Sequence, residues 1–498
     1  MKTFLVALLS VVSCCAADIT GNWLYVHHLP DGTDQRTYFD LTQQESHITG
    51  VVHSTQFDFV VLESSGGAEV FTLKIGPKDG NMRRGREYQG KLVGDELHLT
   101  TVQAPGKERP EIVAHRVPPG EGALPAKIPP PTLHNVPYDG LAKTPPMGWN
   151  SWNKFAGKVD DASVRAAADA IASNGMKEAG YVYVNIDDTW QGDRDAAGNI
   201  RANKKFPDMK ALAAYVHGKG LKIGIYSSPG PNTCAGYEGS YGHEEQDARA
   251  YAAWGFDYLK YDWCGARTIY TDDEMQPVYQ KMGDALEASG RAIVYSLCQY
   301  GRAEVWKWGP QVSGNLWRTT DDIKDNWASM TEIGFNQSDL APYAAPGHWN
   351  DPDMLEIGNG GMTNTEYQTH MTLWSMLAAP LLAGNDLQNM SSETRAILIN
   401  RDVIAVDQDA LGKQARRVSK SGDQEIWVKD LSDGAKAVAL FNRAANPAKI
   451  AVKWSDIGVA ATPHHARDLW LHREVKLEGP EFAAQVPGHG VVLLRIAT

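Results

Sequence analysis

The chain has 498 residues, enough for about three domains. Its 43% hydrophobic and 22% charged content is that of a soluble globular protein. A net charge of −12 with no basic block argues against nucleic acid or an anionic membrane surface as partner.

Residues 1–17, MKTFLVALLSVVSCCAA, have the form of a secretory signal: one Lys, an apolar run, then small residues. The run is too short to span a bilayer, and no later run is long and apolar enough for a membrane helix. Cleavage after Ala17 would leave Asp18 first, so the protein is expected to be secreted or periplasmic. A bacterial lipoprotein signal is the rival reading, because Val11-Val12-Ser13-Cys14 resembles a lipobox and would anchor the chain at Cys14.

Residues 18–117 read as all-β. Phe71, Leu73 and Ile75 alternate, as do Leu97 and Leu99, which predicts a small antiparallel barrel or sandwich. Residue types that do chemistry do not gather there, and its role is left open. Residues 118–140 are rich in Pro and Gly and read as a semi-rigid linker.

From 141 to 412 the texture changes to apolar, β-rich runs alternating with helix-period stretches. Val164, Ala167, Ala168 and Ile171 mark one helix stripe, with Asp160 or Asp161 as its N-cap. Further helices are expected at 208–220, at 243–255, near 273–289 and between SLC (296–298) and LWR (316–318). Counting MGWN, HWNDPDM and PLLAGND as strands gives eight βα units, the signature of a closed (β/α)8 TIM barrel. An open doubly wound sheet is the alternative, but no Gly-rich phosphate loop follows the first strand. Residues 413–498 return to alternation by two (Ile426/Val428, Val438/Leu440, Ile450/Val452, Val492/Leu494/Ile496) and predict a C-terminal antiparallel β-sandwich.

In such a barrel the reactive groups stand at the C-terminal ends of the strands. Those positions hold Trp149, Trp152, Asp187, Asp188, Tyr226, Lys260, Asp262, Cys298, Arg318, Asp322, Asp351, Asp353 and Met354. A single Asp there is usually a helix cap, but independent caps explain poorly why acids recur with two cations among them. Paired carboxylates from different strands suit cleavage of a glycosidic bond. Lys260, two residues from Asp262 on one strand face, should favour the ionised form of Asp262. Asp321 beside Asp322 should raise the latter, unless Arg318 points inward and pulls it down. Beyond Cys14 and Cys15 remain Cys234, Cys264 and Cys298. A disulfide is allowed in an exported chain, and Cys234–Cys264 is the favoured pair; two buried thiols is the alternative that spacing leaves open.

Six stretches in order, TPPMGWNSW (144–152), IDDTW (186–190), CAGYEGSYGHEEQDA (234–248), YLKYDWC (258–264), WRTTDDI (317–323) and WNDPDML (349–355), resemble family 27 glycoside hydrolases, the α-galactosidase family. The resemblance spans roughly 141–412, and a C-terminal β-domain is also expected in that family. It implies a retaining, exo-acting hydrolase with Asp262 as nucleophile and Asp322 as acid/base. By the same resemblance Asp187 and Asp188 bind the O6 and O4 of galactose. Lys260 and Arg318 hold the O3 and O2 side, Trp152 and Tyr226 contact the ring, and Met354 packs nearby. SLCQYG (296–301) resembles the family's SLCEWG, so Cys298 and Tyr300 should line the 2-position and exclude a 2-acetamido group.

Three departures stand out. A second disulfide common in the family would need cysteines at Gly157 and Thr189, Asp321 stands where many relatives have Gly, and Trp263 replaces a common Asn. No cofactor is expected, and no metal, since neither His348 nor His243 has ligand spacing to other His or Cys residues. The expected partner is a galactose-containing carbohydrate. An α-N-acetylgalactosaminidase, a non-catalytic sugar-binding protein and an aldolase using Lys260 as a Schiff base are the competing readings. Neither the aglycone nor the oligomeric state is legible.

Overall fold

The computed structural model describes residues 18–497 apart from 31–32, 55–56, 78–84, 103–109, 461–462 and 464. The signal segment expected at 1–17, with Cys14, lies outside the described residues. The chain divides into two units, one holding the residues up to His28 with Asp34–Leu124, the other holding Leu29–Thr33 with Pro125–Thr498.

In the first unit eight strands form a closed antiparallel barrel: β1 (Gly21–His28), β2 (Asp34–Gln44), β3 (His47–Ser54), β4 (Asp58–Gly67), β5 (Val70–Gly76), β6 (Arg86–Val93), β7 (Glu96–Thr101) and β8 (Ile112–Val117). β8 pairs back onto β1 from Asn22↔Val117, so no edge is left open. The alternation read from sequence is the pleat itself: Phe71, Leu73 and Ile75 point inward with Trp23, Phe39, Leu97 and Leu99 to form a core of their own.

In the second unit the strands β9 (Met147–Asn150), β10 (Tyr183–Asn185), β11 (Lys222–Ser227), β12 (Tyr258–Asp262), β13 (Val294–Cys298), β14 (Leu316–Arg318), β15 (Trp349–Asp351) and β16 (Leu381–Ala383) pair in parallel, with β16 beside β9. The ring closes just beyond β15, where Leu355 N–H donates to Leu382 O at 2.8 Å and its carbonyl accepts from Gly384 N at 2.9 Å. These strands are largely apolar, with polar residues concentrated towards their C-terminal ends, because helices cover the outer face while side chains fill the inside. The first long helix, Asp161–Ser173, starts where its sequence says it should. The Asp160 carboxylate caps Ser163 N, the Ser163 hydroxyl returns the bond, and Val164, Ala167, Ala168 and Ile171 are its buried stripe.

Between β13 and β14 the expected helix is absent. Two 3₁₀ turns, Arg302–Lys307 and Gly309–Gln311, take its place. Gly301 starts the run in a left-handed conformation, and Pro310 lacks the N–H that a continuing α-helix would use. Residues 125–140 have almost no regular structure and are held by side chains from barrel helices and loops. Tyr241 OH accepts from Ile128 N and donates to Ala126 O, while Gln280 bonds His134 N and Thr132 O.

After the barrel, β17 (Arg416–Ser421), β18 (Gln424–Asp430), β19 (Lys436–Asn442), β24 (Val491–Ala497), β21 (His465–Asp468) and β22 (Arg473–Glu474) form one antiparallel sheet. β20 (Ala448–Lys453) pairs with β23 (Glu481–Val486). Ile426, Val428, Val438, Leu440, Leu494 and Ile496 on one face meet Ile450 and Val452, the two-layer core of a sandwich. The other face, Trp427, Ala437, Ala439, Phe441 and Leu493, belongs to the same continuous core as the barrel, with the Phe335 and Phe441 rings edge to face at 5.1 Å. Lys429 from β18 is buried with them and donates to Ser375 O at 3.1 Å. Among the described residues no helix is long and apolar enough to cross a membrane.

Candidate active site

The ends of the parallel strands deliver the polar side chains to one rim, although not all from within a strand. Asp262 and Cys298 end β12 and β13 and are register partners, as are Arg318 and Asp351 at the ends of β14 and β15. Asp188, Asp322 and Asp353 lie two to four residues beyond their strands, in the βα loops. Backbone strain marks two of these loops, with left-handed conformations at Thr189 (φ 79°) and Asp353 (φ 85°).

Asp262 is 4% exposed. Tyr300 OH donates to its Oδ1 at 2.7 Å, and the Cys298 thiol faces Oδ2 at 3.4 Å. Lys260 does not pair with it. The ammonium goes instead to Asp187 Oδ2 at 2.8 Å, where Asn150 Nδ2 also donates at 2.8 Å. Burial therefore raises the Asp262 carboxyl above its usual value, with Asp322 and Asp187 adding to the rise, and Lys260 and the Tyr300 bond only partly offset it. This reverses the direction that the Lys260–Asp262 spacing suggested. A shared strand face placed the two side chains side by side, but the nearer carboxylate across the barrel captured the cation.

At Asp322 the alternative in which Arg318 points inward holds. Burial alone would raise it, but its side chain is 68% exposed, and Arg318 Nη2 stands 3.0 Å from Oδ1. Arg318, with Lys260 behind it, wins and holds the carboxyl below its usual value. Asp321, the acid expected to raise it, is exposed. Arg318 itself is 3% exposed and bridges Asp322, Asp353 Oδ2 at 3.1 Å and the carbonyl of Thr320 at 3.0 Å. Asp353 in turn accepts from Ile323 N at 2.9 Å, which fixes the loop carrying Asp322.

Asp187 Oδ1 accepts from Asp188 N. The two oxygens of Asp188 accept from Thr189 N at 2.6 Å and Ala235 N at 2.9 Å. Burial nonetheless pushes Asp188 up to about 7. Tyr226 on β11 is buried and points its hydroxyl to Cys234 Sγ at 3.1 Å, with the Lys260 ammonium 5.4 Å from its ring centre. Trp152 is half-buried, its backbone N–H donating to Asn150 Oδ1, and Met354 is buried beside Asp353.

Cys234 and Cys264 form a disulfide closing 30 residues of chain, the pair favoured from sequence. Their sulfurs, with Asp262, are the group among the described residues spaced to hold an ion, but bridged sulfurs are not thiolate ligands. Replacing both cysteines with Ser should cost about 3–4 kcal/mol for a loop of this length, read as the shift of a urea unfolding midpoint. Trp263, the departure beside Asp262, is a packing residue stacked on Tyr279 at 5.7 Å.

Sequence reading missed Asn150, although it ends a strand within a quoted motif, and it missed Glu356 and His370. Glu356 takes amide donors from Asn153 and Asn359, and its backbone N–H donates to His370 Nε2 at 3.1 Å. Burial pushes Glu356 up to about 7, holds Asp351 up at about 6, and pushes His370 down to about 3. An unfolded chain protonates His at about 6.5. The stability gained by keeping His370 neutral is therefore complete above that pH and drains away towards pH 3, about 2 kcal/mol being lost by pH 5. The raised carboxyls contribute oppositely: their share is complete below about 4 and is lost as pH rises through 6 to 7. The melting temperature of the unliganded protein should peak on the acid side of neutral, and His370→Gln should flatten the acid branch in calorimetry from pH 4 to 9.

Residues 144–409 match the family profile described as α-galactosidase A, and residues 421–496 match that of the α-galactosidase C-terminal β-sandwich domain. An α-galactosidase of Cyamopsis tetragonoloba is 48% identical over 356 residues, covering 70% of this chain and 85% of the relative. The α-galactosidase A of Cellvibrio japonicus is 46% identical over 384 residues, covering 72% and 93%. Among solved structures, α-galactosidase I from Mortierella vinacea superposes with a TM-score of 0.70 at 38% identity, covering 72% of this chain and 98% of that one. With the barrel, the sandwich and the six motifs in order, the chain belongs to the α-galactosidase family, family 27 of the glycoside hydrolases.

Proposed function

We propose that this protein is an exported, retaining α-galactosidase that releases terminal α-linked galactose by double displacement at Asp262, with Asp322 as acid/base. One observation carries this reading. Asp262 contacts Cys298, Cys298 lies 3.8 Å from Arg318 Nη1, and Arg318 bonds Asp322, so a chain of contacts joins the two carboxylates at the C-terminal ends of the strands. Relatives named α-galactosidase at 46–48% identity support the substrate. The disulfide supports export, since such bridges persist in oxidising compartments.

In the first step a carboxylate oxygen of Asp262 attacks the anomeric carbon while Asp322 protonates the departing aglycone oxygen. In the second, Asp322 takes a proton from water as the water displaces Asp262. The carboxyl directions give this pair an unusual balance. Asp262 is raised and Asp322 lowered, so Asp262 takes up a proton before Asp322, whereas the reactive form needs the proton on Asp322. Asp187 and Asp188 offer the acceptors for the sugar's O6 and O4. An equatorial 4-hydroxyl would point away from these carboxylates and lose its bond to them, which selects galactose over glucose. Trp152, Tyr226, Lys260, Arg318 and Met354 complete the ring contacts, and Cys298 with Tyr300 fills the space a 2-acetamido group would need.

The test is a panel of α-linked nitrophenyl glycosides, with the released anomer followed by NMR. α-Galactose should appear first and the N-acetylgalactosamine substrate should be turned over poorly. Initial release of the β-anomer would contradict double displacement, and preference for the acetamido sugar would reassign the substrate.

A further inference from the structure

We propose that Tyr300 is a positioning residue for Asp262. Its hydroxyl pins Oδ1, leaves Oδ2 to attack, and takes up the carboxylate charge when Asp262 departs in the second displacement. The inference rests on the two-step reading above and assigns Tyr300 a task beyond filling the 2-position. Its phenol donates to Asp262 Oδ1 at 2.7 Å and lies 3.2 Å from Cys264 Sγ and 3.7 Å from Cys234 Sγ. The disulfide thus forms a fixed wall behind the hydroxyl. Oδ2, by contrast, has the thiol of Cys298, a weak donor, as its hydrogen-bond partner among the described residues, at 3.4 Å.

The backbone is bent to make this contact. Tyr300 sits at φ 63°, in the left-handed region that an aromatic residue rarely occupies, and such a conformation persists only where its surroundings hold it. Gly301 follows at φ 74°, its N–H bonded to Arg318 O at 2.9 Å. A Cβ at Gly301 would fall 2.2 Å from Thr319 O, so the turn is locked against the end of β14. Cations from Arg318 and Arg267 lie 5.6 and 5.9 Å from the Tyr300 ring centre and leave it little freedom. The motif that SLCQYG resembles has Trp here, which carries no hydroxyl.

The chemistry balances at each step. Oδ2 bonds to the anomeric carbon as the aglycone oxygen leaves with the Asp322 proton, and Oδ1 becomes the ester carbonyl, still accepting from Tyr300. When water adds and gives its proton to Asp322, the C–Oδ2 bond breaks and the electron pair returns to the carboxylate. A hydrogen-bond donor stabilises that carboxylate more than the ester. Loss of the hydroxyl should therefore slow the second step more than the first.

The experiment compares the full-length wild type and Tyr300→Phe on dinitrophenyl α-galactoside, whose leaving group needs little acid help. Wild type is first labelled with a fluorinated α-galactosyl fluoride and the modified peptide identified. A label elsewhere than Asp262 defeats the parent reading. With that label in place, Tyr300→Phe should lower kcat by about tenfold to a hundredfold, lower KM with it as the glycosyl-enzyme accumulates, and move the acid limb of kcat/KM up by about one pH unit. A variant with raised KM and an unmoved acid limb shows a space-filling role only and overturns the inference. Should Tyr300→Phe fail to fold, Tyr300→Met, which also lacks a donor, is read by the same two criteria.

Discussion

Asp262→Ala is expected to abolish turnover of every α-galactoside, a loss on the order of 10⁴-fold or more, as removal of a covalent nucleophile commonly produces. The fold should survive, because a buried carboxylate is removed rather than introduced and Tyr300 retains the disulfide wall beside it. Added azide fits the space the carboxylate vacates. It should restore cleavage of the dinitrophenyl substrate and yield β-galactosyl azide, since it attacks from the nucleophile's face. Residual activity above about 1% of wild type without azide would remove Asp262 from the nucleophile's role.

Asp322→Ala should divide substrates by leaving group. Galactosides with alkyl or sugar aglycones should lose about 10²- to 10⁴-fold in kcat/KM, the range supplied by a positioned proton donor. Dinitrophenol needs no proton to depart, so its substrate should lose far less in the first step. Azide here replaces the water that Asp322 no longer activates, and the product should be α-galactosyl azide. The two azides, of opposite configuration, separate the two roles without reference to rates. Exchange of the two products would exchange the assignments. Arg318 keeps Asp353 at 3.1 Å in this variant, so its buried guanidinium is not stranded and the fold should hold.

The barrel was legible because its strands are mostly apolar on both faces and its first long helix carries both a cap and a stripe, Asp160 and Val164 to Ile171. The site was legible because polar residues interrupt such runs at their ends. What failed to show was decided across the barrel rather than along the chain. Lys260 lies next to Asp262 in pleat register, yet its ammonium reaches Asp187 from another strand. Arg318 turning inward, not the neighbour Asp321, settles the charge of Asp322. The missing helix before β14 reflects left-handed Ala303 and Glu304 after Gly301, a conformation no helical period announces. The interlock of Glu356, Asn153 and His370 joins segments far apart in sequence, which no local pattern foretells.

The apolar interior that runs unbroken from the parallel ring into one face of the final sheet has a consequence for how such chains can be rearranged. Cutting near residue 412 would strip Phe335 of its Phe441 partner and withdraw Lys429 from Ser375, baring oily surface on both fragments. The eight strands at the front keep a separate interior, Trp23 and Phe39 among them. The rear piece and the ring must therefore be inherited together, whereas the front piece has an interior of its own.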